Sequence, residues 1–120
     1  MSDWKCFNLK IVYLSWNKIE KIGSLNLPSL EEIYLSRNKI KDITAIDNWK
    51  CPKLKYIYLY DCLIEKVGSL KLPSLEEIDL ALNKIKDISA LADWKCPNLK
   101  IIDLQQCEIQ KIGNLGLPSL

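Results

Sequence analysis

A chain of 120 residues with 48% hydrophobic and 27% charged residues has the size and composition of one folded domain, which excludes a disordered chain. The formal net charge is only +2, from 17 Lys and Arg against 15 Asp and Glu, so a dedicated binder of nucleic acid or of an acidic membrane is not expected. Histidine, the commonest general base and metal ligand, is absent, and no apolar run approaches the roughly 20 residues that a membrane-spanning helix requires.

The first predicted element is a short strand within a skeleton of six positions, and this skeleton recurs along the whole chain. The skeleton residues are, in chain order, Leu9, Val12, Leu14, Asn17, Ile19 and Ile22; Leu30, Ile33, Leu35, Asn38, Ile40 and Ile43; Leu54, Ile57, Leu59, Cys62, Ile64 and Val67; Leu75, Ile78, Leu80, Asn83, Ile85 and Ile88; and Leu99, Ile102, Leu104, Cys107, Ile109 and Ile112. No single unit can bury its apolar side chains alone, so the pattern indicates units that stack on one another.

Two kinds of unit alternate along the chain. Trp-Lys-Cys begins at Trp4, Trp49 and Trp94, and Leu-Pro-Ser-Leu begins at Leu27, Leu72 and Leu117, each recurring every 45 residues. Equivalent prolines are 24 residues apart from Pro28 to Pro52, and 21 residues apart from Pro52 to Pro73. We therefore expect one domain over residues 1–120, built from alternating 21- and 24-residue units without a clear cap at either end.

Each unit is predicted to contribute one strand to a parallel sheet. The segment Ile33–Leu35 alternates in polarity as a half-buried strand does, and neighbouring strands of such a sheet would lie ~4.8 Å apart. In the long units, Asp87–Trp94 combines a capping residue with good helix formers, which predicts a short helix. In the short units, Gly23, Gly68 and Gly113 predict a tight irregular turn.

The skeleton has the spacing L-x-x-L-x-L-x-x-N/C-x-L and therefore resembles the leucine-rich repeat family. Among subclasses it is most similar to the SDS22-like short-repeat class of intracellular proteins, and a bacterial internalin-like array stays open. The resemblance implies an α/β solenoid with a parallel concave sheet of about five strands and short helices or turns on the convex side. It also implies that Asn17, Asn38 and Asn83 are buried and bond to neighbouring backbone, and that the protein is a protein-interaction scaffold.

The five cysteines are interpreted as structural residues. Cys6, Cys51 and Cys96 share one repeat position, and Cys62 and Cys107 occupy the asparagine position. No C-x-x-C pair is present, so neither a metal site nor any other cofactor is expected. An odd number of cysteines without a secretion signal favours a reducing, cytoplasmic location. Since the repeated tryptophans, Trp4, Trp49 and Trp94, follow the period of the repeat, we expect them to pack on the convex side.

Charged residues at equivalent positions alternate in sign from unit to unit. The columns are Lys10, Glu31, Lys55, Glu76 and Lys100; Glu20, Lys41, Glu65, Lys86 and Gln110; and Lys21, Asp42, Lys66, Asp87 and Lys111. Exposed pairs contribute only about 0–1 kcal/mol each, whereas like charges side by side are unfavourable. The alternation therefore favours the stacking of long units on short units.

The predicted outer positions of the strands and their exits differ between units, whereas the skeleton is nearly constant. We expect a binding surface there, because a stack needs repeated core residues and recognition needs individual ones. Its candidate residues are Tyr13, Trp16, Tyr34, Arg37, Tyr56, Tyr58 and Tyr60 at an aromatic end, and Asp61, Asp79 and Asp103 at an acidic end. Tyr, Trp and Arg are frequent interface anchors. The alternative is that the tyrosines only stabilise the sheet across strands.

Three functional hypotheses follow from this pattern. The first is a non-catalytic scaffold that binds a protein partner, but neither nucleic acid nor a membrane, on its concave face. The second is a structural array that self-associates through uncapped ends, with a designed repeat protein and a fragment of a longer array as related alternatives. The third is an enzyme that uses Asp61, Asp79 and Asp103, which we set aside because the sequence offers no nucleophile with its base and no phosphate-binding loop.

Overall fold

The structure is a computed structural model that describes residues 8–110, and it is built around a single parallel sheet. The strands are β1 (Ile11–Tyr13), β2 (Glu32–Tyr34), β3 (Tyr56–Tyr58), β4 (Glu77–Asp79) and β5 (Ile101–Asp103), and they pair in chain order. Two short 3₁₀ helices, Thr44–Asn48 and Ser89–Asp93, follow β2 and β4 in the long units. Within these described residues, no helix is long and apolar enough to cross a membrane.

The register of the strands matches the repeat. The central residues of the strands, which point into the core, pair in the order Val12, Ile33, Ile57, Ile78 and Ile102. The third residues pair in the order Tyr13, Tyr34, Tyr58, Asp79 and Asp103. The prediction of one strand per unit is confirmed, and so is the prediction that Tyr13, Tyr34 and Tyr58 form one column across the sheet.

The skeleton residues form one continuous core between the sheet and the opposite side of each coil. Leu30, Ile33 and Leu35 have no exposed surface, and neither have Ile57 and Leu59 in the middle of the stack. Each Leu or Ile buried in this way contributes about 1.5–3 kcal/mol relative to an exposed side chain. Because the partners of each unit's core residues lie in the neighbouring units, the units are stable only as a stack.

The asparagine position links neighbouring coils, as the resemblance implied. Asn38 Nδ2 donates to the carbonyl oxygens of Leu14 in the preceding coil at 2.9 Å and Leu35 in its own coil at 2.8 Å. Its Oδ1 accepts the N–H of Ile19 at 3.0 Å. Asn83 makes the equivalent bonds two units later, and both amides are buried. Backbone groups that would otherwise be left unsatisfied inside the turns are thereby bonded.

The prediction that Asn17 is buried is wrong. Asn17 is exposed, and within residues 8–110 its Nδ2 donates only to the carbonyl oxygens of Leu14 and Ser15 in its own turn, at 2.9 and 3.2 Å. Asn38 differs because two of its bonds reach the preceding coil. Asn17 lies in the first coil of residues 8–110, where no described coil precedes it.

Cysteine at the asparagine position also bonds to the preceding long unit. Cys62 Sγ donates to the carbonyl oxygen of Leu35 at 3.2 Å, and Cys107 Sγ donates to that of Leu80 at 3.1 Å. Burial raises the pKa of both thiols, so they stay protonated as donors. The structural interpretation is confirmed for these two residues and for buried Cys51, while Cys6 lies outside the described residues.

The short helix predicted in the long units is present as a 3₁₀ helix. Each helix is followed by a buried tryptophan whose indole bonds to a glycine of the preceding short unit: Trp49 Nε1 donates to Gly23 O at 2.7 Å, and Trp94 Nε1 donates to Gly68 O at 2.6 Å. These tryptophans are packing residues, as predicted, and Trp4 lies outside the described residues. The expected cap differs, because Ile88 holds the N-cap position, and the Oδ1 of Asp87 accepts the N–H of Ser89.

In the first charge column, the alternating residues lie on neighbouring coils, but few of them touch. Backbone hydrogen bonds of 2.8 Å join Glu31 N to Lys10 O and Lys55 N to Glu31 O, which confirms the order of the first column. Among its members, all of which the structure describes, only Lys100 and Glu76 form an ion pair, at 3.8 Å. Alternation therefore acts mainly by avoiding like charges. Lys111, Gly113, Ile112 and the chain ends on which self-association depends lie outside residues 8–110.

Candidate functional site

The outer sheet face, which we define as the first and third residues of the five strands, carries a stack of tyrosine rings. The ring centroids of Tyr13 and Tyr34 are 4.7 Å apart, those of Tyr34 and Tyr58 are 4.6 Å apart, and the planes differ by 15° and 12°. The rings lie in register because the strands that carry them pair in parallel, so their separation follows the spacing of the strands. Tyr56 lies beside Tyr58 on the same strand, with 6.5 Å between centroids.

Carboxylates contact the tyrosine stack. The Tyr34 hydroxyl donates to Glu32 Oε1 at 2.7 Å. This bond, together with burial and the charge of Glu32, raises the pKa of Tyr34 to about 12. The pKa of Tyr58 is also raised, first by burial and then by the charges of Glu77 and Glu32. Glu32 and Glu77 therefore belong to the site, although sequence reasoning missed them.

Arg37 occupies the centre of a second cluster at the exits of the first three strands. Its guanidinium lies 4.3 Å from the ring centroid of Trp16 and 5.2 Å from that of Tyr60. Its Nε donates to the Tyr60 hydroxyl at 3.2 Å, and its Nη1 pairs with Asp61 Oδ2 at 3.3 Å. The bond to Tyr60, with the charge of Asp61, raises the pKa of Arg37. Four sequence-predicted residues thus form one cluster, which we call the Arg37 cluster.

The Arg37 cluster depends on an unusual backbone conformation. The residue before the Asn or Cys position adopts a positive φ in all five units: 62° at Trp16, 58° at Arg37, 54° at Asp61, 57° at Leu82 and 56° at Gln106. Each costs roughly 1–2 kcal/mol for a residue with a side chain. This conformation ends the strand and brings Trp16, Arg37 and Asp61 together. No glycine marks the position in the sequence, and only its variability between units pointed to it.

The acidic end of the face is formed by two aspartates, not three. Asp79 and Asp103 are register neighbours, and the Oδ1 of each accepts an N–H two residues later, from Ala81 and Gln105, at 3.0 Å. Burial raises the pKa of Asp79, the bond from Ala81 opposes the rise, and the charge of Asp103 adds to it. Asp61, predicted to lie near them, instead pairs with Arg37. Over residues 8–110, no group of three or more potential ligand side chains could hold a metal ion.

Comparison with protein families identifies the repeat. A family model described as "Leucine Rich repeats (2 copies)" matches residues 8–48 and again 52–93, and a model described as "Leucine Rich repeat" matches residues 95–117. These matches cover more than half of the chain. The chain belongs to the leucine-rich repeat family. A search of curated proteins and a search of solved structures found no significant match.

Family membership agrees with the architecture. The five-stranded parallel sheet, with one strand per unit and few helices, is the α/β solenoid of a leucine-rich repeat protein. Leucine-rich repeats commonly serve as protein-binding scaffolds and are typically non-catalytic. In this leucine-rich repeat protein, the sequence-predicted site residues lie either on the outer sheet face or in the Arg37 cluster.

Proposed function

We propose that this leucine-rich repeat protein is a non-catalytic scaffold that binds a protein partner on the concave side of its sheet, through the outer sheet face and the Arg37 cluster. The observation that carries the proposal is the exposure of large aromatic side chains at ordered positions. Tyr13 is 71% exposed and Trp16 is 72% exposed, although each contacts a neighbour in a fixed geometry. Ordered, exposed Tyr and Trp supply large contact areas at low entropic cost.

A purely structural role explains this face less well. Cross-strand stacking stabilises the sheet, but a ring kept only for stability gains more from burial than from lying 71% in solvent. Binding of a partner would bury these rings, so recognition accounts better for aromatic side chains at exposed positions.

The chemistry of the aspartates on the face and of the cysteine thiols elsewhere in the chain supports binding over catalysis. The Oδ1 atoms of Asp79 and Asp103 hold the turns that follow their strands. Burial raises the pKa of the Cys51, Cys62 and Cys96 thiols, which lowers the fraction of reactive thiolate.

The proposal is tested by selecting random peptides displayed on phage against the immobilised protein. We expect selected peptides to bind the parent and to lose binding to the double variant Tyr34→Ala with Tyr58→Ala. The matched control replaces two exposed lysines that belong to neither the outer sheet face nor the Arg37 cluster, Lys39→Ala with Lys84→Ala, and should retain binding. Thermal melts establish that both variants fold. Peptides that bind the tyrosine variant as well as the parent would place the binding site elsewhere.

Two finer assignments are also part of the proposal. The alternation of 21- and 24-residue units supports the SDS22-like short-repeat class. The described cysteines are Cys51, Cys62, Cys96 and Cys107, and all four are free thiols, which supports a reducing, cytoplasmic location. Light scattering over a range of concentrations tests the rival self-associating array, since a monomer at every concentration excludes it.

A further inference from the structure

The outer sheet face has a charge that the rest of the chain does not share. Its ten residues are Ile11, Tyr13, Glu32, Tyr34, Tyr56, Tyr58, Glu77, Asp79, Ile101 and Asp103, which include four carboxylates and no Lys or Arg. The chain as a whole has 17 basic and 15 acidic residues. The ten positions therefore carry four negative charges and no positive charge. The resulting negative potential attracts a basic partner.

The tyrosine stack stops next to two of these carboxylates. Tyr13, Tyr34 and Tyr58 occupy successive places in one row, and the next two places are held by Asp79 and Asp103. Aspartate is too short to continue a stack of tyrosine rings. The place beside the Tyr58 ring on the side of β4 is therefore bounded by an aromatic face and by carboxylates at its base.

The Arg37 cluster shows which group suits such a place. There, the guanidinium of Arg37 lies over the rings of Trp16 and Tyr60 and pairs with the carboxylate of Asp61. The place beside Tyr58 offers the same two components, a ring face and a carboxylate, but no cation of this chain is on the strands that form it.

We propose, on the basis of the proposed function, that the outer sheet face binds a basic segment of a partner protein, one arginine of which stacks on Tyr58 and pairs with Asp79 and Asp103. The segment is held by charge complementarity. The planar guanidinium is selected over the ammonium of lysine because it stacks on the ring and has several N–H donors in one plane, which can reach one oxygen of each aspartate. Since Oδ1 of each aspartate holds a turn, the second carboxylate oxygen accepts from the partner. The bound cation also relieves the repulsion between the two aspartates.

The test measures the binding of fluorescently labelled hexa-arginine, hexa-lysine and hexa-glutamate peptides to the intact protein. The test variant is Asp79→Asn with Asp103→Asn, because asparagine keeps an Oδ1 that can accept from Ala81 and Gln105. The matched control is Glu20→Gln with Glu65→Gln, which removes the same charge from exposed positions that are not part of the outer sheet face. Thermal melts confirm that both variants are folded.

We expect hexa-arginine to bind the parent and the glutamate control alike, and to bind the aspartate variant at least about tenfold more weakly. Hexa-lysine should bind the parent roughly three- to fivefold more weakly than hexa-arginine, and hexa-glutamate should not bind. Equal losses in both variants, equal binding of arginine and lysine peptides, or no binding of hexa-arginine would each overturn the proposal.

The outcome is separable from that of the proposed function. Selected phage peptides that depend on Tyr34 and Tyr58 but contain no excess of arginine would overturn the arginine site and leave the binding face in place. Binding of a second copy of this chain to the face, detected by light scattering, would likewise replace the basic partner with self-association.

Discussion

At the scale of single residues, the buried amides of Asn38 and Asn83 show how one side chain joins two coils. Each donates to carbonyl oxygens in two different units and accepts an N–H from the preceding unit. These groups lie in the turns where the strands end, so the sheet cannot satisfy them. The side chain therefore acts as a replacement for a backbone partner.

Replacing Asn38 with alanine should lower the free energy of unfolding by about 1–3 kcal/mol, because buried backbone groups lose their partners. Asn17→Ala is the matched control, since Asn17 is exposed and its bonds to described residues stay within its own turn. It should change stability by less than about 0.5 kcal/mol. Urea denaturation of both variants measures the difference. Equal losses would show that bonds to the preceding coil add nothing.

The bond between Tyr34 and Glu32 should appear in the alkaline titration of the protein. The pKa of Tyr34 is raised to about 12 from an ordinary value of 10.0, so the folded state holds this proton more tightly than the unfolded chain does. Its contribution to stability is fully present below pH 10 and is lost as the pH rises towards 12. Glu32→Gln should lower the pKa of Tyr34, measured as tyrosinate absorbance relative to Tyr34→Phe. An unchanged titration would exclude Glu32 as the cause.

Some contacts of single residues could be predicted from the sequence, and others could not. The tyrosine column was predictable, because equal positions in equal units become neighbours. The pairing of Asp61 with Arg37 was not, because it depends on positive φ angles at non-glycine residues. Such angles are imposed by the surrounding coils, not by the local residue type.

At the scale of elements, Gly68 is held between two long units. The carboxylate of Asp47, on the first 3₁₀ helix, lies against Gly68 and accepts the N–H of Ser69 at 2.9 Å. On the other side, Trp94 Nε1 donates to Gly68 O at 2.6 Å. A Cβ at residue 68 would collide with the Asp47 carboxylate. The glycine is therefore required for close approach between elements.

Gly68→Ala should destabilise the protein by about 1–3 kcal/mol, because the added methyl group displaces Asp47. In a background of Asp47→Ala the same change should cost much less, since the clashing group is gone. Chemical denaturation of the parent, both single variants and the double variant gives the coupling between the two positions. Costs that simply add would contradict a direct contact.

The sequence predicted the position of the helices and the order of the charge columns, but not their detailed geometry. The extra residues of the long units predicted a short helix, and the structure has the tight 3₁₀ form with an isoleucine at the N-cap. Charge alternation correctly predicted which residues are neighbours. It could not predict that Lys100 and Glu76 would form the only ion pair of the first column, because exposed lysine and glutamate side chains gain little from a fixed geometry.

At the scale of the whole molecule, stability should be greatest in the middle of the stack. Strand β3 pairs with β2 on one side and β4 on the other, whereas β1 and β5 each have one partner strand among the described residues. Ile57 at its centre is fully buried, whereas Ile102 on β5 is partly exposed. We expect the backbone amides of β3 to exchange with solvent more slowly than those of β1 and β5. Hydrogen exchange followed by mass spectrometry checks this order, and uniform protection of all five strands would contradict it.

The sequence by itself determined the units, the number of strands, their parallel order and the side of each strand that faces the core. They follow because apolar side chains at this spacing are buried only when the coils stack, and because equal units can pair in only one register. Only the tertiary structure decided that Asn17 is exposed, that Arg37 lies between Trp16 and Tyr60, and that Glu32 and Glu77 join the tyrosines. Those outcomes depend on which coil lies beside each residue and on backbone angles that the neighbouring coils impose, and neither is encoded in the local pattern.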